Sequence, residues 1–524
     1  MNGASGRLTE PLSTEGAADR LGRAVTRHFW LLVLAVLVVG LVYRLPGIAS
    51  RSLWIDELYT EWFAARSFTE LWRDVPYYET HPPIYYTLLR LWTQAFGNSE
   101  LGLRSLSLVA SMATILCLAL SGRLLKTGWQ AQAAGLAGAA LLAVNYASIR
   151  DAQNARPYAL QTLVFTIAII AAAMLVTRLA RQANGEEAGR WLPPALVLGL
   201  SAGIALWFHN TSLFICLGIW SGLALTLSVF PRQMRLKAFG IYFAAGILAL
   251  LVWSPYVPIF IEQSRIFMGL AFWLQPKLRD LYSAWLLVIG DHWAMLLLAL
   301  ALLAFGLYTL WRKAPPLALF VLAVLLVPLY VMLAVSFTLK PIYIQRLFAW
   351  MVPLALAVVA FGIVGATRQV WPRIALVCLV LVLAGTRSIA DFSRPIDDWK
   401  AIVSEIAGNA EPGDVVIAVP AEGSIAVGYY ARRHANFPPV VCVPGCYPQR
   451  NLPRTYMSNF GAPKLIEEDG AIVEEALKNH RRVWLVQVSV ALYDPKSIVR
   501  KRIGSARSFV RYYGNSLAKV ELFE

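Results

Sequence analysis

The segment HPPIYYTLLRLWTQAFG, His81–Gly97, decides the fold of this chain. It is apolar, but it is short, opens on Pro82-Pro83 and carries Arg90 and Gln94. Such a helix either crosses a bilayer or lies flat in its interface. Around it the apolar runs are plain, and helices long enough to span are expected over 29–46, 103–124, 129–147, 156–180, 191–208, 211–229, 238–258, 293–311, 316–339, 346–367 and 372–388. That gives about eleven transmembrane helices without 81–97. Counting it would move every later connection to the opposite side of the membrane.

Charge settles the choice, because Lys and Arg collect in cytoplasmic connections. With 81–97 lying flat, one side receives Arg7/Arg20/Arg23/Arg27, Arg123/Lys126, Arg178/Arg181/Arg190, Arg232/Arg235/Lys237, Arg312/Lys313 and Arg368/Arg373. The short connections on the other side are poorer in cations. The expected architecture follows. Residues 1–28 form a disordered cytoplasmic tail with no cleavable leader, and 29–388 form the membrane domain. Outer loops lie at 47–102 and 259–292, and a polar α/β domain over 389–524 faces the periplasm. In that last domain PIDDWKAIVSEIAGN and EGSIAVGYYARR read as helices, and GDVVIAVP and RRVWLVQVSV as strands.

Composition agrees with a polytopic membrane protein: of 524 residues 58% are hydrophobic and only 15% charged, well below soluble usage. The net charge of +16 is the excess that cytoplasmic connections bring. No basic stripe lies on a soluble module, so nucleic acid is not an expected partner. Of the five cysteines, Cys117, Cys216 and Cys378 lie in apolar segments as packing residues. Cys442 and Cys446 can bridge in an oxidising compartment.

The unusual polar residues gather on the expected outer face. SLWIDELYTEWFAARS, Ser52–Ser67, places Asp56 and Glu57 among aromatic rings; His81 follows, and SIRDAQNARPY brings Arg150, Asp151, Asn154 and Arg156 with Tyr158. The loop 259–292 adds Arg265, Lys277 and Asp291-His292, and Gln345-Arg346 close another outer loop. Each has a plain structural reading. Asp56-Glu57 can cap a helix, His81 before Pro-Pro can start one, and Arg156 and Arg346 can anchor span ends. Asp151 can pair with Arg150 or Arg156. Their coincidence on one face, in loops too long for connectors, points instead to a pocket holding an anion beside a base.

The motifs Trp54-x-Asp56-Glu57, His81-Pro82-Pro83-Ile84-Tyr85-Tyr86, Phe96-Gly97-Asn98-Ser99-Glu100 with Arg104, and Ala155-Arg156-Pro157-Tyr158-Ala159-Leu160 resemble the integral-membrane glycosyltransferases of the GT-C class. The likeness is to the bacterial branch related to protein O-mannosyltransferases and lipid A aminoarabinose transferases. It covers residues 29–180 and the Gln345-Arg346 region. The resemblance implies sugar transfer from a polyprenyl-phosphate carrier to an envelope glycan or glycolipid acceptor, on the outer face of a bacterial inner membrane. It makes Asp56 the base, with Glu57 its catalytic neighbour. Many bacterial relatives carry an acid two residues before the Arg of ARPY, where this chain has Asn154, with Asp151 three residues earlier. His81, Arg156, Tyr158, Arg346 and Asp151 are the expected donor-binding residues. No ligand spacing asks for a metal, and none is expected. Two other readings stay in view: a protein hydroxyl as acceptor, and a flippase for a lipid-linked sugar. The flippase would place charges at mid-span and show repeat symmetry. An assembly subunit without chemistry is a further reading, with the acid pair serving only as a cap.

Overall fold

In this computed structural model the described residues are 17–79, 81–126, 128–269, 275–290, 293–366, 369–392, 397–449, 463–515 and 518–524. The chain begins with α1 (Ala17–Arg27), bent by 74° from the apolar α2 (Phe29–Arg44). This corrects the expectation of an irregular tail through residue 28; residues 1–16 lie outside the described residues.

Three short helices follow. α3 (Ile55–Ala64), α4 (Phe68–Tyr78) and α5 (Ile84–Phe96) form the first large loop. Local chemistry sets their ends. Ser67 and Glu70 make a reciprocal cap on α4, with Ser67 N–H donating to Glu70 Oε2 at 3.0 Å. α5 stops at Gly97, φ +77°, a conformation that favours glycine. Ser99 then caps the next helix by accepting from Gly102 N–H at 3.2 Å. At 13 residues α5 is too short to cross, as the flat reading requires.

The membrane domain continues through α6 (Glu100–Leu125), α7 (Trp129–Ala143), α8 (Tyr146–Ala152), α9 (Tyr158–Ala183), α10 (Leu192–Ala205), α11 (Ser212–Val229), α12 (Arg232–Trp253) and α13 (Val257–Gly269). It ends with α14 (Asp280–Ser283), α15 (Leu286–Ile289), α16 (Trp293–Lys313), α17 (Pro315–Thr338), α18 (Val352–Ala366) and α19 (Val370–Asp391). Among the described residues eight helices are long and apolar enough to span. Ten qualify if the bent pairs α1–α2 and α7–α8 each count as one span, and α10 is a shorter apolar helix. Each of the eleven expected segments meets one of these helices, but the count of eleven is not reproduced. Breaks and short helices divide what hydropathy runs together. Small residues let the helices close up: a Cβ on Gly122 would stand 2.0 Å from Ala131 O, and one on Gly306 2.2 Å from Val358 O.

The C-terminal domain holds α20 (Trp399–Asn409), β1 (Val415–Val419), α21 (Gly423–Ala431), β2 (Val440–Cys442), α22 (Gly470–Asn479), β3 (Val483–Val488), α23 (Val490–Tyr493), α24 (Ile498–Ala506), β4 (Phe509–Gly514) and β5 (Ala518–Phe523). The sheet order is β2-β1-β3-β5-β4. β2, β1 and β3 run parallel, while β5 and β4 join antiparallel, with Val415 opposite Val483 and Val483 opposite Phe523. β1 and β3 are buried along their whole length, as parallel strands covered on both faces must be. Cys442 and Cys446 are disulfide-bonded.

One sheet face packs on Val473, Ile498 and Ile503 of α22 and α24. The other is continuous with the first large loop: Trp399, Ile402, Tyr430 and Trp484 share a core with Leu58, Phe63, Leu71, Tyr85 and Leu103. The domain is thus welded to the helices that carry the candidate site.

Candidate active site

Arg104, buried on α6, organises the entry to α3. Its Nη1 donates to Ile48 O at 3.1 Å and Arg51 O at 2.9 Å, and its Nη2 to Ser52 O at 2.8 Å. The same guanidinium grips Glu57 through two contacts, Nε to Oε1 at 2.8 Å and Nη2 to Oε2 at 2.6 Å. Glu57 also accepts from Ala155 N–H at 2.8 Å and Trp54 N–H at 3.3 Å. With four donors around it and 0% exposure, this carboxylate cannot meet a substrate. The expectation that Glu57 is catalytic is corrected on that ground. It ties α3 to α6 and to the loop before α9.

Asp56, one position earlier, points elsewhere, since successive helical side chains diverge by about 100°. Its side chain is 25% exposed, and Oδ2 lies 3.3 Å from Arg346 Nη2. Its carbonyl accepts from Thr60 Oγ1 at 2.9 Å and Arg156 Nη1 at 3.2 Å. Arg346 comes from the turn Gln345–Met351 before α18, held there by Gln345 Nε2 donating to Ser283 O at 2.7 Å. Its guanidinium stands 5.5 Å above the Trp54 ring and 5.9 Å above the Tyr158 ring. The side chain is half-exposed.

Below this pair lies a buried network. Arg156 Nη1 reaches Thr60 Oγ1 at 3.2 Å and Glu79 Oε2 at 3.6 Å, while Nη2 lies 3.1 Å from His81 Nδ1. Glu79 Oε1 is 2.6 Å from the same His81 Nδ1. A nitrogen cannot donate and accept at once, so the shorter contact to a carboxylate assigns the proton to Nδ1. Burial pushes the His81 imidazole below its usual range, helped by Arg156 and opposed by Glu79. The ring is neutral at pH 7. His209 packs edge-on at 4.6 Å from His81. Its Nδ1 accepts from Thr211 N–H at 3.1 Å, which leaves the proton on Nε2. Burial lowers its pKa too, with His81 adding to the effect.

Of the expected residues, Asp56, His81, Arg156, Tyr158 and Arg346 therefore come together. Asp151, half-buried on α8, lies at the edge of this network, near enough for the charge of Arg346 to act on it and for its own charge to act on Tyr158, whereas Arg265 pairs with Glu262 at 2.9 Å. Asp291-His292 lie outside the described residues. Asn154 accepts from Trp54 Nε1 at 3.0 Å, so the amide replaces an acid without leaving the loop unanchored. Sequence reading missed Glu79, His209 and Asp397. Glu79 was in view two residues before His81. Asp397 lies near enough to Asp56 for that charge to add to burial in raising its pKa. Among the described residues no three His, Cys, Asp or Glu side chains form a group able to hold a metal ion.

The C-terminal domain grips the same loop. Ser52 Oγ donates to Asp398 Oδ1 at 2.9 Å and accepts from Lys400 N–H at 2.8 Å, and Leu53 N–H donates to Tyr430 OH at 2.7 Å. Arg432 meets Glu61 at 3.0 Å and Arg433 meets Glu100 at 2.9 Å. The Tyr447 ring sits between Tyr59 and Trp62, at 5.1 and 5.0 Å.

A family profile described as dolichyl-phosphate-mannose-protein mannosyltransferase matches residues 80–259. No curated protein matches the chain. Among solved structures, ArnT from Cupriavidus metallidurans in the apo state is similar at TM-score 0.57 and 14% identity, over 95% of this chain and 98% of that one. The same protein bound to undecaprenyl phosphate gives 0.55 and 13%, over 94% and 98%. The archaeal oligosaccharyltransferase AglB from Archaeoglobus fulgidus, in complex with an inhibitory peptide and a dolichol-phosphate, gives 0.53 and 10%, over 95% and 74%. This chain thus has the fold of the GT-C membrane glycosyltransferases, the class that its first large loop resembles.

Proposed function

We propose that the protein is an inverting glycosyltransferase. It moves a sugar from a polyprenyl-phosphate carrier to an envelope glycan or glycolipid, on the periplasmic face of a bacterial inner membrane. The observation that carries this reading is the division of labour within Asp56-Glu57. Glu57 is locked in a cage of donors, while Asp56 stays accessible and faces a half-exposed arginine. Two structures of similar fold hold a polyprenyl phosphate, by their descriptions, which supports the donor class.

The chemistry fits these groups. Asp56 takes the proton of the acceptor hydroxyl as its oxygen attacks the anomeric carbon. The carbon–oxygen bond to the phosphate breaks on the opposite face, and the phosphate leaves with the bonding pair. A phosphate is already a stable anion, so no acid is needed, unlike the hydrolysis of a glycoside. Arg346 exchanges Asp56 for the phosphate, which frees the base as the anion arrives. Arg156 supplies further positive charge from below, and neutral His81 holds Glu79 and Arg156 in register. Arginines provide the charge compensation, so no metal is required, and transfer survives a chelator.

The test is a mass-spectrometric transfer assay with polyprenyl-phosphate sugars and an envelope extract as acceptor. Asp56→Asn should lower turnover by about 10²–10⁴-fold while donor binding persists. Consumption by the variant at the wild-type rate would end the proposal. The profile's description favours a second acceptor class, protein hydroxyls, and label found on protein rather than on glycolipid would select it.

A further inference from the structure

Trp54 is held at both of its ends and fills no core. As the residue before α3 it is extended, with φ −84° and ψ 169°. Its backbone N–H donates to Glu57 Oε2 at 3.3 Å, and its indole Nε1 donates to Asn154 Oδ1 at 3.0 Å. Leu53 before it and Leu58 after it lie in the core that the two domains share. The indole itself is half-buried and, among the described residues, belongs to none of the hydrophobic cores.

Two plain roles do not account for it. A tryptophan that fills a core is buried among apolar side chains. A tryptophan of the membrane interface turns its polar edge to water and headgroups, whereas this one donates to a side chain of the site itself. The Arg346 guanidinium stands 5.5 Å above the ring. It also lies 3.3 Å from Asp56, and its Nε has no hydrogen-bond partner among the described residues. The indole therefore borders the space around the base and the arginine.

In an inverting transfer the acceptor oxygen and the departing phosphate lie on opposite sides of the anomeric carbon. With Asp56 beside the first and Arg346 beside the second, the sugar ring occupies the space between them. A sugar whose phosphate is held by Arg346 meets the indole face that this guanidinium overlooks. A pyranose offers that face a patch of C–H bonds, for which an aromatic ring is a large apolar partner. The π face also favours positive charge, and the sugar ring gains such charge as the phosphate departs. We propose that the Trp54 indole is the platform on which the donor's pyranose ring stacks, and that Asn154 is the positioning residue that sets the plane of the indole. The proposal rests on the transferase reading and names the surface that receives the transferred sugar.

The test is donor kinetics on the full chain in nanodiscs, with undecaprenyl phosphates bearing glucose, galactose, mannose or arabinose as probes and an envelope extract as acceptor. For the donor that the wild type consumes, Trp54→Ala should lower kcat/KM about tenfold. Trp54→Phe, which keeps an aromatic face, should lose less. Inhibition by undecaprenyl phosphate, which carries no sugar, should stay at the wild-type value in both, and this also shows that the site is folded. Because phenylalanine has no N–H, Trp54→Phe isolates Asn154. Asn154→Ala should lower kcat/KM about threefold in the wild type and add nothing in Trp54→Phe. Equal weakening of donor and undecaprenyl phosphate would mean that the indole serves Arg346 alone, and overturns the platform. Wild-type kinetics in Trp54→Ala overturn it too, and additive losses in the double variant overturn the role of Asn154. A wild type that binds undecaprenyl phosphate and spares every donor refutes the transferase reading, and the platform falls with it. Turnover by the wild type keeps that reading whatever the variants do, so the two failures are told apart.

Discussion

At the scale of single residues, neighbours in sequence have opposite fates. Asp56 is left in reach of solvent, and Glu57 is spent on the fold. Removing charge from Glu57 should therefore act on stability before chemistry. Glu57→Gln leaves the Arg104 guanidinium buried without its counter-ion, a loss of about 3–5 kcal/mol. A denaturation midpoint unchanged from wild type would contradict that assignment. His81 gives a pH signature. Its imidazole is held below the ordinary value by burial first and Arg156 second, so the folded state binds its proton less tightly than the unfolded chain. The stability this contributes is complete above the unfolded value of about 6.5 and is lost as pH falls from there toward the folded pKa. Melting temperatures between pH 7.5 and 5.5 should fall in the wild type and fall less steeply in His81→Gln. A residual slope should remain from His209, which is shifted the same way.

At the scale of elements, legibility followed the range of the cause. The shortness of α5 was readable from the apolar run that forms it, and the helix has 13 residues, while the flat orientation expected for it was read from the charge of distant connections alone. The acid pair, His81, Arg156 and Arg346 were readable as polar residues out of place. The cage around Glu57 was not, because Arg104 and Ala155 approach it from 47 and 98 residues away. His209 was hidden at the end of an apolar run, where a histidine more often just fills the core. The grip of α20 and α21 on the entry to α3 was equally out of reach, and it yields a prediction. Tyr430→Phe removes the acceptor of Leu53 N–H and leaves that buried donor unpaired, a cost of about 1–3 kcal/mol. If the grip positions Asp56, kcat should fall while KM for the donor stays near wild type, and the pH profile of kcat should shift with it. A fall in melting temperature with unchanged kinetics would make Tyr430 structural only.

At the scale of the whole molecule, the two domains share a hydrophobic core rather than a linker. Tyr430, Trp399 and Trp484 belong to the same cluster as Leu58 and Tyr85, and two ion pairs cross the boundary with their carboxylates buried on the membrane-domain side. Interfaces between independent domains are more polar and leave each partner able to stand alone. Here a chain ended after Asp391 would expose that core and strip Arg432 from Glu61 and Arg433 from Glu100. Glu61 is instructive, because burial raises its pKa even with Arg432 beside it. Without the arginine, the ionised side chain stays costly in the folded state unless water reaches it. The shortened protein should therefore accumulate poorly in membranes, and whatever survives should melt well below the full chain. Supplying the missing residues as a separate polypeptide should restore little, since the shared core must form as one. Size-exclusion profiles and transfer rates of the shortened and full chains, prepared alike, decide the matter. A monodisperse shortened protein with full transfer would mean that the C-terminal domain only rests on the catalytic unit, and that Asp56 is held from the membrane side alone, by Arg104 through Glu57.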